Sequence, residues 1–325
     1  RYRLLTGRLP AKRMCKALRK GAEWIRKKRL PNTPDQEHAG LLPPGFSAEH
    51  LGPNNYYYWD DFWGVGGLYA ASSFFRHAGD DAYANELGEL AGDFRRSVDA
   101  SIADIPEKRW RGAIPAAPGR RMDAGAVGSI VAAWPLGLVE PGETRVQRTV
   151  EYLLGNCMIE NGFFHDMTHS GINPYLTLHM AQVLLRDGDP RYRALMERVG
   201  ELASPTGQWP EAVHPLTGGG CMGDGQHGWA AAEWVLMIRS LFVREEDDRL
   251  VVGSGLFHEW LRSGQRLVYG PTATRFGRVR VQVDTNAHEP RVEVQGSWSG
   301  EAPRIETRLP GFDHVEATVQ AGEFS

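Results

Sequence analysis

The sequence holds only three cysteines, Cys15, Cys157 and Cys221, and no two of them form a CxxC pair. Such spacing supplies neither a disulfide framework nor a zinc ribbon. No apolar run comes near the roughly 18 residues of a membrane-spanning helix, and the first thirty residues lack the apolar core of a signal peptide. We therefore expect no membrane partner and a cytoplasmic location. There is no HExxH, and Gly253-Ser-Gly255 is not the GxSxG of a serine hydrolase. Gly223-Asp-Gly-Gln-His-Gly228 matches the dinucleotide pattern, but Thr217-Gly-Gly-Gly-Cys-Met222 before it cannot be a buried parallel strand. His214, Cys221, Asp224 and His227 lack the tight spacing of a zinc site. No cofactor and no metal are expected.

Charge of one sign is also scarce, since the formal net charge is -3. The exception is the first thirty residues, where twelve Arg or Lys face one acid, Glu23. Leu18, Ala22 and Ile25 form a helical stripe there, which reads as a packed helix with a solvated basic face. No nucleic-acid partner is expected. The chain also begins without Met, directly in helix-like sequence, and reads as a fragment or processed product.

What is present is enough apolar residue, 42% of 325, to bury a core in one large domain or two smaller ones. Ten Trp and ten Tyr add flat faces with polar handles, which suit sites that stack on sugars. Segments of helical period run over roughly 12–29, 57–78, 81–104, 122–136, 143–156, 171–187, 190–203 and 226–243. Beyond Asp248 the pattern becomes alternating β-branched runs such as Arg278-Val-Arg-Val-Gln-Val283 and Arg291-Val-Glu-Val294. This predicts a helical region over 1–248 and a small antiparallel, sandwich-like β-domain over 249–325.

The helices come as hairpins. Gly79-Asp80-Asp81 and Gly188-Asp189-Pro190 each place a Gly where a helix ends and an Asp where the next begins. Repeated helical hairpins build solenoids or closed toroids. The segments entering the helices near 57, 122, 171 and 226 are instead long and rich in aromatic, acidic and His residues. Long loops in compact domains are usually functional, and these four fall on one rim if the hairpins stand side by side.

Two constellations on that rim could carry chemistry. In Asn54-Asn-Tyr-Tyr-Tyr-Trp-Asp-Asp-Phe-Trp63, Asn54 or Asn55 can cap the helix, and Asp60 and Asp61 sit in its first turns. Two acids there could merely complement the helix dipole. Tyr57, Tyr58, Trp59, Phe62 and Trp63 nevertheless give a carboxyl the apolar walls that raise its pKa, as a general acid needs. In Gly207-Gln-Trp-Pro-Glu-Ala-Val-His214, Trp209 and Pro210 brace Glu211 in a loop. Two facing carboxylates can protonate a leaving oxygen and activate a water. Arg120, Arg121, Asp123, His165, Asp166, His169, Asn173, Asp224, Gln226 and His227 offer polar groups suited to sugar hydroxyls, with helix capping the bland alternative for Asp123 and Asp224.

Counted backwards from the β-rich end, the pattern resembles the six-hairpin glycosidases, particularly glucoamylases and processing α-glucosidases. Trp59-Asp60-Asp61 matches the Trp-acid-acid motif that opens the sixth helix of that family, although glucoamylases use Glu there. Pro210-Glu211 matches its Pro-Glu loop before the last helix. The resemblance implies an incomplete α/α toroid holding helices five to twelve. Residues Leu250 to Leu309 resemble the β-domain of rhamnosidase-like glycosidases. The implied activity is hydrolysis of a glycoside or oligosaccharide with inversion, Asp60 (or Asp61) acting as acid and Glu211 as base, about 6.5–9.5 Å apart. Tyr57, Trp59, Trp63, Arg121, Asp123, Asp166, His169, Asn173, Trp209, Asp224 and His227 would contact the sugar. Two alternatives share the scaffold: a phosphorylase in which Arg120 and Arg121 hold phosphate, and an inactive carbohydrate-binding protein.

Overall fold

The computed structural model describes residues 12–47, 52–167, 170–286, 289–313, 315, 317–322 and 324. Two compact units divide the chain, Ala11–Glu233 and Trp234–Ser325, the division falling ahead of the Asp248 at which the composition changes.

The first unit is helical. It contains α1 (Lys12–Lys28), α2 (Tyr58–His77), α3 (Asp81–Ala103), α4 (Thr144–Asn156), α5 (Pro174–Asp187), α6 (Tyr192–Glu201) and the start of α7 (Gly228–Phe242). Each lies within a few residues of its expected span. The eighth expected helix, 122–136, is instead a 3-10 helix over Ala124–Ala132. Gly125 and Gly128 weaken α-helical propensity there, and the β-branched Val127, Ile130 and Val131 add to the effect. All nine residues of that segment are buried, so packing fixes its conformation.

Capping follows the hairpin logic with one change. Asp80 accepts the Tyr83 backbone N–H at 3.3 Å and opens α3. Gly188, at φ +75°, closes α5 in the left-handed region that costs glycine little. Asn55 does not cap α2, because its side-chain oxygen is taken by the neighbouring Tyr56 N–H at 2.8 Å. The first turn of α2 is tied instead to a distant strand of chain, through the Tyr58 N–H to the Ala116 carbonyl at 3.0 Å.

Part of the basic character of α1 and its C-terminal end is spent inside the unit. Arg19 pairs with Asp80 and lies over the Tyr83 ring, 4.1 Å from its centroid. Arg26 pairs with Glu86, and the buried Arg29 with Asp93 at 3.0 Å. Acids of the next hairpin thus hold α1 in place. Apolar contact completes the unit, with Leu68, Phe75, Leu87, Phe94, Ile130, Leu153 and Leu176 all buried. No helix among the described residues is long and apolar enough to cross a membrane.

A small antiparallel sheet edges this unit: β1 (Met158–Ile159), β2 (Gly162–His165), β3 (Gly171–Ile172), β4 (Ala212–Val213) and β5 (Gly220–Met222), paired in that order. It joins the loop that enters α5 to the loop that enters α7. Glu211 stands immediately before β4, its backbone N–H bonded to the Met222 carbonyl at 3.1 Å. Two loops far apart in sequence are thereby fixed together.

The second unit holds β6 (Val243–Glu246), β7 (Arg249–Val252), α8 (His258–Leu261), β8 (Arg266–Thr274), β9 (Gly277–Asp284), β10 (Arg291–Trp298), β11 (Arg304–Thr307) and β12 (Ala317–Ala321). Val279, Val281, Val283, Val292 and Val294 alternate into its core, as period-two patterning predicts. The expected antiparallel arrangement holds for β6–β7 and for β8–β9–β10 but not throughout. β12 runs parallel to β10, and β11 parallel to β7, so both sheets are mixed. Parallel partners need long connections. Alternation fixes which face is buried and leaves strand direction open.

Candidate active site

The two candidate acids at the start of α2 are adjacent in sequence and opposite in environment. Asp61 is 1% exposed, and one carboxylate oxygen accepts the Leu42 N–H at 2.9 Å while the other has no hydrogen-bond partner. Burial lifts its pKa to about 7; the Leu42 N–H works against this, Asp60 adds to it, and Arg29 lowers it. The segment leading to Leu42 is clamped by Arg29, which donates to the Gly40 carbonyl at 2.7 Å and to Ser97 Oγ at 3.1 Å. Asp61 therefore anchors that segment to α2.

Asp60 is only partly buried and opens onto a groove of about 750 Å³ between α1, residues 42–46 and α2. Trp24, Phe46, Trp59 and Trp63 line the same groove. Burial among them raises the Asp60 pKa above the ordinary carboxylate value, opposed by a hydrogen bond from Ser47. A carboxyl whose pKa is raised by burial is the kind of group that can serve as a proton donor. Of the two acids, Asp60 is the one a ligand can reach.

From Asp60 a series of rings leads across the unit. Trp63 meets Trp59 edge-on at 5.8 Å between centroids, and Trp59 meets His179 at 6.2 Å. His179 lies 5.4 Å from Tyr175, which in turn meets His227 at 6.4 Å and Trp229 at 5.2 Å. His227 sits in the electrostatic field of Glu211 and Asp224, both favouring its charged form, while burial dominates and lowers its pKa. The series thus begins beside Asp60 and ends beside Glu211.

A second cavity, of about 500 Å³, gathers Arg121, Asp123, Tyr152, Cys157 and Asp166. Asp123 caps the 3-10 helix through the Gly125 N–H at 3.0 Å and takes Arg120 at 3.1 Å. Arg120 also donates to the Tyr57 hydroxyl at 3.1 Å. Burial raises the Tyr57 pKa, Arg120 lowers it, and Asp123 and Asp60 add to the rise. Arg121 stands 3.9 Å from Asp123 with its side chain 83% exposed. Burial, with Asp123 and Asp166 nearby, pushes the Cys157 thiol up to about 11, so it is no nucleophile.

Three of the expected ligand contacts have hydrogen-bond partners within the chain. Trp209 is 4% exposed and its indole N–H donates to the Val199 carbonyl at 2.8 Å, so it braces the Glu211 loop from within. Asn173 is buried and caps α5 through the Leu176 N–H at 2.9 Å. Asp224 accepts the Gln226 N–H at 2.9 Å in a local turn, yet stays exposed beside His227. His169 lies outside the described residues. Among the described residues no cluster of His, Cys, Asp and Glu is disposed to hold a metal ion.

Several polar residues beside the ring series escaped sequence reasoning. Tyr175, His179 and Gln182 fall at i, i+4 and i+7 on one face of α5, a helix whose interior is otherwise mostly apolar. Glu233 is a lone acid in the run Trp229-Ala-Ala-Ala-Glu-Trp234 of α7. A polar residue repeated on one face, or an acid amid alanine, was the available signal.

The approach of β3 to β4 and β5 leaves no room for a side chain at Gly171. A Cβ there would lie 2.7 Å from Cys221 Sγ and 2.9 Å from Ala212 Cβ. Gly171→Ala should cost about 1–3 kcal/mol through overpacking and displace the strand that follows Glu211. Urea unfolding of the variant measures the first effect, and an unchanged midpoint would contradict the packing.

No protein-family model matches the sequence, and no curated protein matches it as a relative. Among solved structures the fold is similar to part of a sialidase, with a TM-score of 0.60 and 15% identity over 86% of this chain and 29% of that one. It is also similar to part of the GH78 family rhamnosidase of Bacillus sp. GL1, with a TM-score of 0.53 and 14% identity over 95% of this chain and 32% of that one. A bacterial glucoamylase complexed with acarbose matches at a TM-score of 0.45 and 15% identity, over 58% of this chain and 34% of that one. The chain thus spans about a third of the length of each of these three proteins.

Proposed function

We propose that this chain carries the acid and base of an inverting glycoside hydrolase, Asp60 donating the proton and Glu211 activating water. The observation that carries the reading is the ring series from Trp63 to His227, with one carboxylate at each end and exposed aromatic faces beside both. Sugars stack on such faces through their C–H surfaces while carboxylates take their hydroxyls. Asp60, its pKa raised by burial among the rings, would protonate the glycosidic oxygen. Glu211 would draw a proton from a water that attacks the anomeric carbon from the opposite face, inverting it. Arg121, Asp123 and Asp166 would hold hydroxyls in the neighbouring cavity. A fold similar to parts of a rhamnosidase and a sialidase, both glycosidases by name, is consistent with this, and we read the helical unit as part of an α/α toroid.

The phosphorylase alternative gains little, because Arg120 is engaged by Asp123 and Tyr57. The test is release of nitrophenol from a panel of p-nitrophenyl glycosides with and without phosphate. Phosphate-independent release by the wild-type protein, lost in Glu211→Gln, is the expected result. Saturable sugar binding without release would favour the binding-protein alternative, and release that requires phosphate would favour the phosphorylase.

A further inference from the structure

Beneath the ring series lies a buried polar cluster that neither carboxylate role explains. Glu233 on α7 is 5% exposed, yet its carboxylate accepts two hydrogen bonds on one oxygen. The Trp134 indole N–H reaches Oε1 at 2.6 Å and the Gln182 amide reaches it at 3.1 Å. Through these two bonds this one residue ties together α7, α5 and the segment after the 3-10 helix. Gln182 shares its face of α5 with His179 and Tyr175. His179 is wholly buried, with the Trp134 backbone as its polar neighbour, and burial pushes its imidazole down to about 4. It is therefore neutral at pH 7 and serves as a packing surface, edge-on to Trp59 and against Tyr175.

We propose that Glu233 is a positioning residue: by holding Trp134 and Gln182 it fixes His179, and through His179 the two rings, Trp59 and Tyr175, that connect the acid to the base. Glu233 does not touch the substrate. The proposal rests on the reading of Asp60 and Glu211 as acid and base, and a ligand-free readout separates the two. Trp59 and Trp134 occur in one shared structure with His179 between them, so a shift of Glu233 must register at Trp59, the neighbour of Asp60.

The experiment uses the whole chain labelled with 5-fluorotryptophan, with the Trp59 and Trp134 signals assigned by Trp59→Phe and Trp134→Phe. Glu233→Leu should move or broaden the fluorine signals of both residues and leave those of Trp260 and Trp298 in place. On a hydrolysed nitrophenyl glycoside it should lower kcat about a hundredfold, the scale of a 1 Å misplacement, with KM changed less than about threefold. Glu233→Gln keeps an oxygen acceptor for the indole and should recover most of kcat and both signals. Should Glu233→Leu fail to fold, Trp134→Phe carries the same expectation for kcat, because it deletes the indole donor and keeps the ring. An unmoved Trp59 signal would overturn the proposal, as would a Glu233→Gln variant as inactive as Glu233→Leu, which would make Glu233 catalytic. If the wild-type protein hydrolyses no glycoside, the acid–base reading fails and the Trp59 signal alone decides the positioning role.

Discussion

Asp60→Asn should slow hydrolysis of a glycoside with a poor leaving group by about a hundred- to ten-thousandfold, the usual worth of a positioned general acid. The loss should shrink on a dinitrophenyl glycoside, whose departing phenolate needs little proton help. Asp61→Asn should show no such dependence on the leaving group, because the Asp61 carboxylate faces the Leu42 N–H and not the groove. Comparing kcat/KM for both variants on an alkyl and a dinitrophenyl glycoside separates the two acids. A leaving-group-dependent loss confined to Asp61→Asn would reverse the assignment. Glu211→Gln should lose activity on both substrates alike, since water must be activated whatever departs.

The second large effect concerns stability. Asp61 is nearly inaccessible and its pKa stands at about 7, against 3.8 for the free side chain. Its folded pKa is raised, so its favourable contribution is complete below the unfolded pKa and is lost as pH rises through the folded one. Between pH 4 and 7 the unfolded chain has released this proton and the folded chain still holds it. The loss across that window is about 4 kcal/mol, at ~1.4 kcal/mol per pKa unit, and it levels off above pH 7. Asp61→Asn cannot ionise and should lack this slope, so it gains on the wild-type protein as pH rises. Urea midpoints of both proteins at pH 4 and pH 8 measure the difference directly. A wild-type-to-variant gap independent of pH would show that Asp61 is not held protonated by its burial.

How much of this was legible in the sequence varies with the range of the forces involved. The α-helices were, because 3.6-residue periodicity and Gly-Asp punctuation are local, and Gly188 and Asp80 perform the roles their types suggest. The 3-10 helix at Ala124–Ala132 was not, since burial of all its residues by other elements decides its winding. Nor were the parallel pairs β10–β12 and β7–β11, where direction depends on how long connections return. Within the site, Asp60 and Asp61 were indistinguishable by sequence: both sit in the first turn of α2, and only the approach of Leu42 buries one of them. Trp209 bonds to the Val199 carbonyl and Asn173 caps α5, and neither bond was visible beforehand, because a Trp brace and an Asn cap look the same in sequence as ligand contacts. A different cause hid His179, Gln182 and Glu233, which lie inside regular helices where sequence reading expects packing.

The central claim is that Asp60 and Glu211 act from opposite faces of one sugar. The most direct test follows the anomeric proton by NMR during the first minutes of hydrolysis of an activated aryl glycoside by the wild-type protein. The account requires the first sugar released to carry the anomeric configuration opposite to that of the substrate, with mutarotation following, and requires that signal to be absent with Glu211→Gln. Release of the retained anomer, or an undiminished signal with Glu211→Gln, would contradict it.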